Sequence, residues 1–260
     1  MDLGMAGRVA VVTGASRGIG RAVAALLAAE GAHLVVNARS PQGLDRVLSE
    51  LPGAVAVAGD VVDPRTTDRL LEAAADGGGP HVVVNNAGGE SGHRPLADLH
   101  DGAWERAYRL NVVSAVRLAV GAAEVMRRSR GGRIVNVASY TARAPEPFCG
   151  PYAAAKAALV NATRTLSRTY GPEGVCVNCV LPGLTSTEGT MAGLAAARTA
   201  TGRPTADLVE TMLRRAPNDA GRMGSAAEVA AAVVFLCSEP ASWITGAALA
   251  VDGGTIRTIP

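Results

Sequence analysis

The 260 residues are 48% apolar, enough to bury a sizeable core without disulfides or a structural metal. A formal net charge of +2 with no long basic run, and an aromatic content of 3%, argue against a nucleic-acid partner. The start Met1-Asp2-Leu3-Gly4-Met5 lacks the basic head and apolar stretch of a signal peptide, and no apolar run nears the ~18 residues of a membrane span, so a soluble cytoplasmic protein is expected.

Arg8-Val9-Ala10-Val11-Val12-Thr13 reads as a short buried strand. It leads through Thr13-Gly14-Ala15-Ser16-Arg17-Gly18-Ile19-Gly20 into a helix over Arg21–Glu30. Strand, glycine-rich turn and helix together aim backbone N–H groups and a helix N-terminus at a phosphate. The spacing is G-x-x-x-G-x-G, so the general dinucleotide fingerprint is not matched literally. His33–Ala38 is the second strand, followed by Arg39-Ser40-Pro41. From Gly31 through Leu44 there is no Asp or Glu to bind a ribose 2′-hydroxyl, whereas Arg39 and Arg17 suit a 2′-phosphate. NADP(H) is therefore favoured over NAD(H). Ser40-Pro41 also reads as an ordinary N-cap and first helical residue.

Val55–Ala58 is a third strand, then come Gly59-Asp60-Val61 and a helix from Asp63-Pro64 to about Ala75. Asp60 suits either an adenine contact or a turn. His81–Asn85 is a fourth strand running into Asn86-Ala87-Gly88-Gly89, small residues that let a flat ligand lie against the backbone. Asp101–Arg130 is expected as one long helix, with Asn111 polar within its apolar stripe and in need of partners if buried. Arg133–Ala138 is the fifth strand and ends in Ser139-Tyr140-Thr141.

The next helix, Gly150–Tyr170, carries Tyr152 and Lys156 one turn apart on one face. Lys156 is the only lysine among the 25 basic residues; the rest are arginine. An ammonium fixed beside a phenol favours the phenolate, which suits a proton donor and acceptor near neutral pH. Tyr140 is a rival phenol, with no lysine one turn away. The Ala153, Ala154, Ala157, Ala158 face allows close packing with another helix. Strand six, Val175–Val180, leads into Leu181-Pro182-Gly183-Leu184-Thr185-Ser186-Thr187. Residues 186–218 then mix helix and loop and are expected to form a lid over the site. Helix Ala226–Ser238 and strand Ala247–Val251 complete the chain.

Strands and helices alternate throughout, with no linker-like stretch and no repeat. That predicts a single Rossmann-type domain over 1–260, an α/β doubly wound fold with a seven-stranded, mostly parallel sheet and helices on both faces. Cys176-Val177-Asn178-Cys179 has C-x-x-C spacing, but on a strand these two cysteines point to opposite faces and read as packing residues. The four histidines are scattered, so no metal site is expected.

These motifs, in register and in order, make the chain similar to the short-chain dehydrogenase/reductase family over essentially its whole length. Thr13–Gly20 resembles the family's glycine motif, Asn86-Ala87-Gly88 its N-A-G, and Tyr152/Lys156 its Y-x-x-x-K. Asn111 and Ser139 fall where its other catalytic residues sit, and Pro182-Gly183 with Thr187 resembles the P-G-x-x-x-T that holds the nicotinamide. The resemblance implies a catalytic set of Asn111, Ser139, Tyr152 and Lys156. It implies cofactor contacts from Gly14, Ser16, Arg17, Gly18, Ile19 and Gly20, from Arg39, Ser40, Asp60 and Val61, and from Asn86–Gly88. Tyr152, Lys156, Pro182, Gly183, Thr185 and Thr187 complete that set. Hydride would pass between nicotinamide and carbonyl carbon, with Tyr152 moving the proton, Ser139 orienting the oxygen, and Asn111 anchoring a water that links Lys156 to solvent.

The expected activity is ketone–alcohol interconversion on a small molecule. An NAD-dependent alcohol dehydrogenase, an epimerase or dehydratase, and a non-catalytic cofactor sensor are the alternatives. Glu90, Ser91, His93, Arg94, Thr141 and Arg143 are candidate pocket residues, Arg143 suiting an acid or phosphate on the substrate. A homotetramer, or a homodimer, is expected on the resemblance.

Overall fold

Short valine-rich runs, apolar on both faces, belong in the middle of a sheet covered on both sides. The structure is a computed structural model and describes residues 2–89, 94–129 and 131–257. Among these lie strands β1 (Val9–Val12), β2 (His33–Ala38), β3 (Val55–Ala58), β4 (Val82–Asn85), β5 (Gly132–Val137), β6 (Val175–Pro182), β7 (Thr185–Ser186), β8 (Gly224–Ser225) and β9 (Ala248–Val251). Seven of them form one sheet in the order β3-β2-β1-β4-β5-β6-β9, and every ladder in it is parallel. The doubly wound α/β expectation is met. The chain winds outward from β1 to β3 and then restarts at β4 on the other side of β1. The crevice between the carboxyl ends of β1 and β4 is therefore the switch point, where ligands bind in such sheets.

Helices α1 (Gly18–Ala29), α2 (Pro41–Glu50), α3 (Pro64–Asp76), α4 (Asp101–Tyr108), α5 (Ser114–Met126), α6 (Gly150–Tyr170), α7 (Glu188–Thr201), α8 (Thr205–Arg215) and α9 (Ala226–Cys237) follow. On one face Ala10 and Val12 of β1 pack with Val23 and Leu27 of α1, Val47 of α2 and Val233 of α9. On the other, Val9 and Val11 pack with Leu70 of α3, Leu118 of α5 and Leu166 of α6. Successive β1 side chains thus enter alternate cores, as the period of two requires.

Two expected boundaries are corrected. The helix after the glycine turn begins at Gly18 rather than Arg21, so the motif's last glycines are its first turn. The helix expected unbroken over 101–130 is instead α4, a π turn at Arg109–Val113, and α5, followed by a 3-10 turn at Arg127–Ser129. Arg130 lies outside the described residues. The Ser114 N–H reaches back five residues to the Arg109 carbonyl, which accommodates one extra residue. Such turns recur at functional sites, and Asn111 sits within this one.

The segment expected to be a lid holds α7 and α8, with Leu194 and Leu208 buried. Strands β7 and β8, paired Thr185 to Gly224 and Ser186 to Ser225, flank it on either side in the chain.

Candidate active site

The glycine turn is locked against the end of β4. The Asn86 Nδ2 donates to the Thr13 carbonyl at 3.0 Å and the Gly14 carbonyl at 3.1 Å. The Thr13 Oγ1 accepts the Asn86 and Ala87 N–H groups, each at 3.0 Å. Gly14 has φ +65, and a Cβ there would lie 2.9 Å from the Ala87 Cα, so only glycine allows this approach. A Cβ on Gly20 would overlap the Gly14 carbonyl and the Asn86 Nδ2. The Asn86 side chain thus braces the turn.

Ser16 and Ser40 flank Gly43, within 3.3 and 3.6 Å of a Cβ added there, and this brings the glycine turn beside the end of β2. Ser40 also caps α2, accepting the Gly43 N–H at 3.4 Å. Arg17 and Arg39 are exposed on the same rim. Val61 is buried, and Asp60 is exposed with Oδ1 accepting the Val62 N–H at 2.9 Å. At the end of β6, Gly183 is so close to Asp252 that a Cβ would stand 2.7 Å from its Cα. Thr185 donates to the Gly183 carbonyl at 2.9 Å.

Thr187 caps α7 and lies against Gly18, its Cβ 3.2 Å from where a Gly18 Cβ would be. The next residue is a site member that sequence reasoning missed. The Glu188 Oε2 accepts the Gly18 N–H at 2.7 Å, and its Oε1 pairs with Arg21 at 2.5 Å. Backbone hydrogen bonds hold this carboxyl below its ordinary range, against the opposing effect of burial. Capping spacing marks Thr187, but nothing local reveals a partner 170 residues away.

The carboxyl end of β5 carries the second group. Ser139 is buried, and its Oγ accepts from the Thr141 N–H and hydroxyl. The α6 helix, entered through Pro151, places Tyr152 half-buried and Lys156 fully inside. The Lys156 Nζ donates to the Val137 carbonyl at 2.8 Å and stands 5.6 Å from the Tyr152 ring centroid. Burial pulls the Lys156 ammonium down to about 8. Asn111 donates to the carbonyls of Ala107 at 2.9 Å and Gly89 at 3.1 Å, and accepts the Gly89 N–H at 3.2 Å. Gly88 lies between these groups: a Cβ there would meet the Asn111 Oδ1 at 2.8 Å and the Lys156 Nζ at 3.1 Å. Asn111, Gly88, Lys156 and Tyr152 therefore converge. The rival phenol, Tyr140, donates to Glu146, and burial with that carboxylate pushes its pKa well up.

Of the other pocket candidates, Thr141 is buried beside Ser139, and Arg143 and Arg94 are exposed. Glu90, Ser91 and His93 lie outside the described residues. Cys179 is buried, its thiol pushed up to about 12, while the Cys176 Sγ meets the Ser242 carbonyl. Both are packing residues.

A family model described as enoyl-(acyl carrier protein) reductase matches residues 14–255. A 3-oxoacyl-[acyl-carrier-protein] reductase of Vibrio cholerae is 37% identical over 254 residues, 97% of this chain and 98% of the relative. A cis-4-hydroxycyclohexanecarboxylate dehydrogenase of Sinomonas cyclohexanicum is 38% identical over 259 residues, 98% of each chain. The solved structure of L-sorbose reductase from Gluconobacter frateurii, complexed with NADPH and L-sorbose, matches with a TM-score of 0.93 at 34% identity, covering 100% of both chains.

Proposed function

The chain belongs to the short-chain dehydrogenase/reductase family and is an oxidoreductase acting on alcohol or ketone groups; from that premise we propose that it interconverts a ketone and a secondary alcohol with NADP(H), using Tyr152 as the acid/base. The observation that carries this reading is the Lys156 ammonium 5.6 Å from the Tyr152 ring, enclosed at the sheet's carboxyl end.

Gly14, Gly20 and Gly88, where a Cβ would strike the protein's own atoms, hold the glycine turn and the β4 end close-packed at the switch point, the place where a dinucleotide lies in such sheets. The first turn of α1 would face the pyrophosphate, Asp60 and Val61 would flank the adenine, and Thr185 and Thr187 would hold the nicotinamide end. Arg17 and Arg39 would pair with a 2′-phosphate; the Gluconobacter relative, whose structure contains NADPH, supports that choice. When bound, the cofactor supplies or accepts the hydride.

The chain's own work is the proton. Tyr152 gives its phenolic proton to the carbonyl oxygen in reduction and takes it back in oxidation. The Lys156 ammonium steadies the phenolate and would grip the nicotinamide ribose. Asn111 pins Gly89 and so fixes the wall beside Lys156. The segment 186–218 closes over the substrate, with the β7–β8 pair drawing together the chain on either side of it and Glu188 fastening its start to the glycine turn.

The assembly is read as a homotetramer. Trp104, Tyr108 and Val113 are exposed on α4 and the π turn, with Ala154 and Ala157 exposed on α6; Phe235 and Leu249 are exposed on α9 and β9. Two separate apolar faces are what a dihedral tetramer requires. Binding titrations of NADPH against NADH, followed by a panel of ketones, alcohols and enoyl thioesters, test the reading. Tighter NADPH binding and turnover of a carbonyl compound are expected; turnover of enoyl compounds alone would overturn it.

A further inference from the structure

A hydroxyl has one proton to donate and two lone pairs that accept. The Ser139 Oγ accepts twice from a single neighbour, the Thr141 backbone N–H at 3.2 Å and the Thr141 hydroxyl at 2.9 Å. Ser139 and Thr141 are only 7% and 5% exposed, so water does not readily compete for these bonds. The arrangement is local. Ser139 is extended (φ −168) and caps the 3-10 turn Tyr140–Ala142, which folds residue 141 back over the serine oxygen. With both lone pairs engaged, the Ser139 hydroxyl can only donate.

We infer that Thr141 is a positioning residue that makes Ser139 a donor-only hydroxyl aimed at the substrate oxygen. The inference rests on the reductase reading above and adds a division of labour to it. A serine free to accept could take the Tyr152 proton into an unproductive hydrogen bond. A serine whose lone pairs are filled leaves the substrate oxygen as the acceptor for both hydroxyls. Removing the Thr141 hydroxyl frees one lone pair, while the backbone N–H bond remains. The loss is that of one buried hydrogen bond, roughly tenfold in rate.

The test compares wild type, Thr141→Val, Thr141→Ser, Ser139→Ala and the Ser139→Ala/Thr141→Val double variant on one carbonyl substrate. Thr141→Val is expected to lower kcat roughly tenfold while KM and NADPH affinity hold, and Thr141→Ser is expected to restore the rate. In the Ser139→Ala background the same change should cost nothing further, because Thr141 acts through the serine. Wild-type kcat in Thr141→Val, an equal loss in both backgrounds, or failure of Thr141→Ser to rescue would each overturn the inference. Should Thr141→Val not fold, Thr141→Ala takes its place with the same expected outcomes. A wild-type enzyme that reduces no carbonyl compound refutes the reductase reading itself; an active wild type with an indifferent Thr141→Val refutes only the positioning role.

Discussion

Lys156 carries its ammonium to 5.6 Å from the Tyr152 ring centroid and keeps it wholly enclosed. Desolvation at that depth is strong enough to bring its pKa to about 8. The charge that steadies the Tyr152 phenolate is therefore present below about pH 8 and lost above it. We expect kcat/KM for carbonyl reduction to fall as pH rises through about 8. A pH–rate profile checks this, and a flat line from neutral to strongly alkaline pH would contradict it.

The same burial makes Lys156 costly to the fold. Its ordinary pKa is 10.5, so between about 8 and 10.5 the unfolded chain binds more protons, and this group's contribution makes stability rise with pH. Below about 8 both states are protonated and the penalty is fully felt. Lys156→Met is expected to abolish turnover yet raise Tm at pH 7 by roughly 2–4 °C, about 1 kcal/mol, with the gain shrinking toward pH 10. Thermal melts at the two pH values measure it. A lower Tm at pH 7 would mean that the bond to the Val137 carbonyl outweighs desolvation.

Gly88 is the contact point between Asn111, Lys156 and the strand end. A methyl there would stand 2.8 Å from the Asn111 Oδ1 and 3.1 Å from the Lys156 Nζ, so both must shift. Gly88→Ala should remain folded but lose roughly ten- to 100-fold in kcat through misplacement. Circular dichroism with steady-state kinetics separates the two effects; unchanged kcat would mean that neither group needs its present position.

Cofactor choice should follow the β2 end. Arg39→Asp replaces a phosphate partner with a ribose-hydroxyl acceptor, and NADPH affinity is expected to drop at least roughly tenfold while NADH gains. Competitive binding titrations read the ratio. Equal loss for both cofactors would place Arg39 outside the discriminating contacts.

The sheet was legible because each of its strands is a short apolar run flanked by turn residues, and parallel order follows from alternation with helices. The pairing of Tyr152 with Lys156 was legible because the two lie within one turn of the same helix. What escaped depends on distance or on a single residue. The π turn around Asn111 inserts one residue between two regular segments whose apolar spacing stays helical on either side. The β7 and β8 strands are two residues each, too short for alternation to show. Glu188 reaches Gly18, and Asn86 reaches Thr13, only after folding. Neither long-range bond has a local sequence signal.

The most direct measurement is turnover by Tyr152→Phe, with NADPH binding followed in parallel. A phenyl ring keeps the shape beside Lys156 but has no proton to move. The account predicts wild-type NADPH affinity with carbonyl reduction lowered by roughly a thousandfold or more. A variant that still reduces its substrate at a rate near wild type would contradict it.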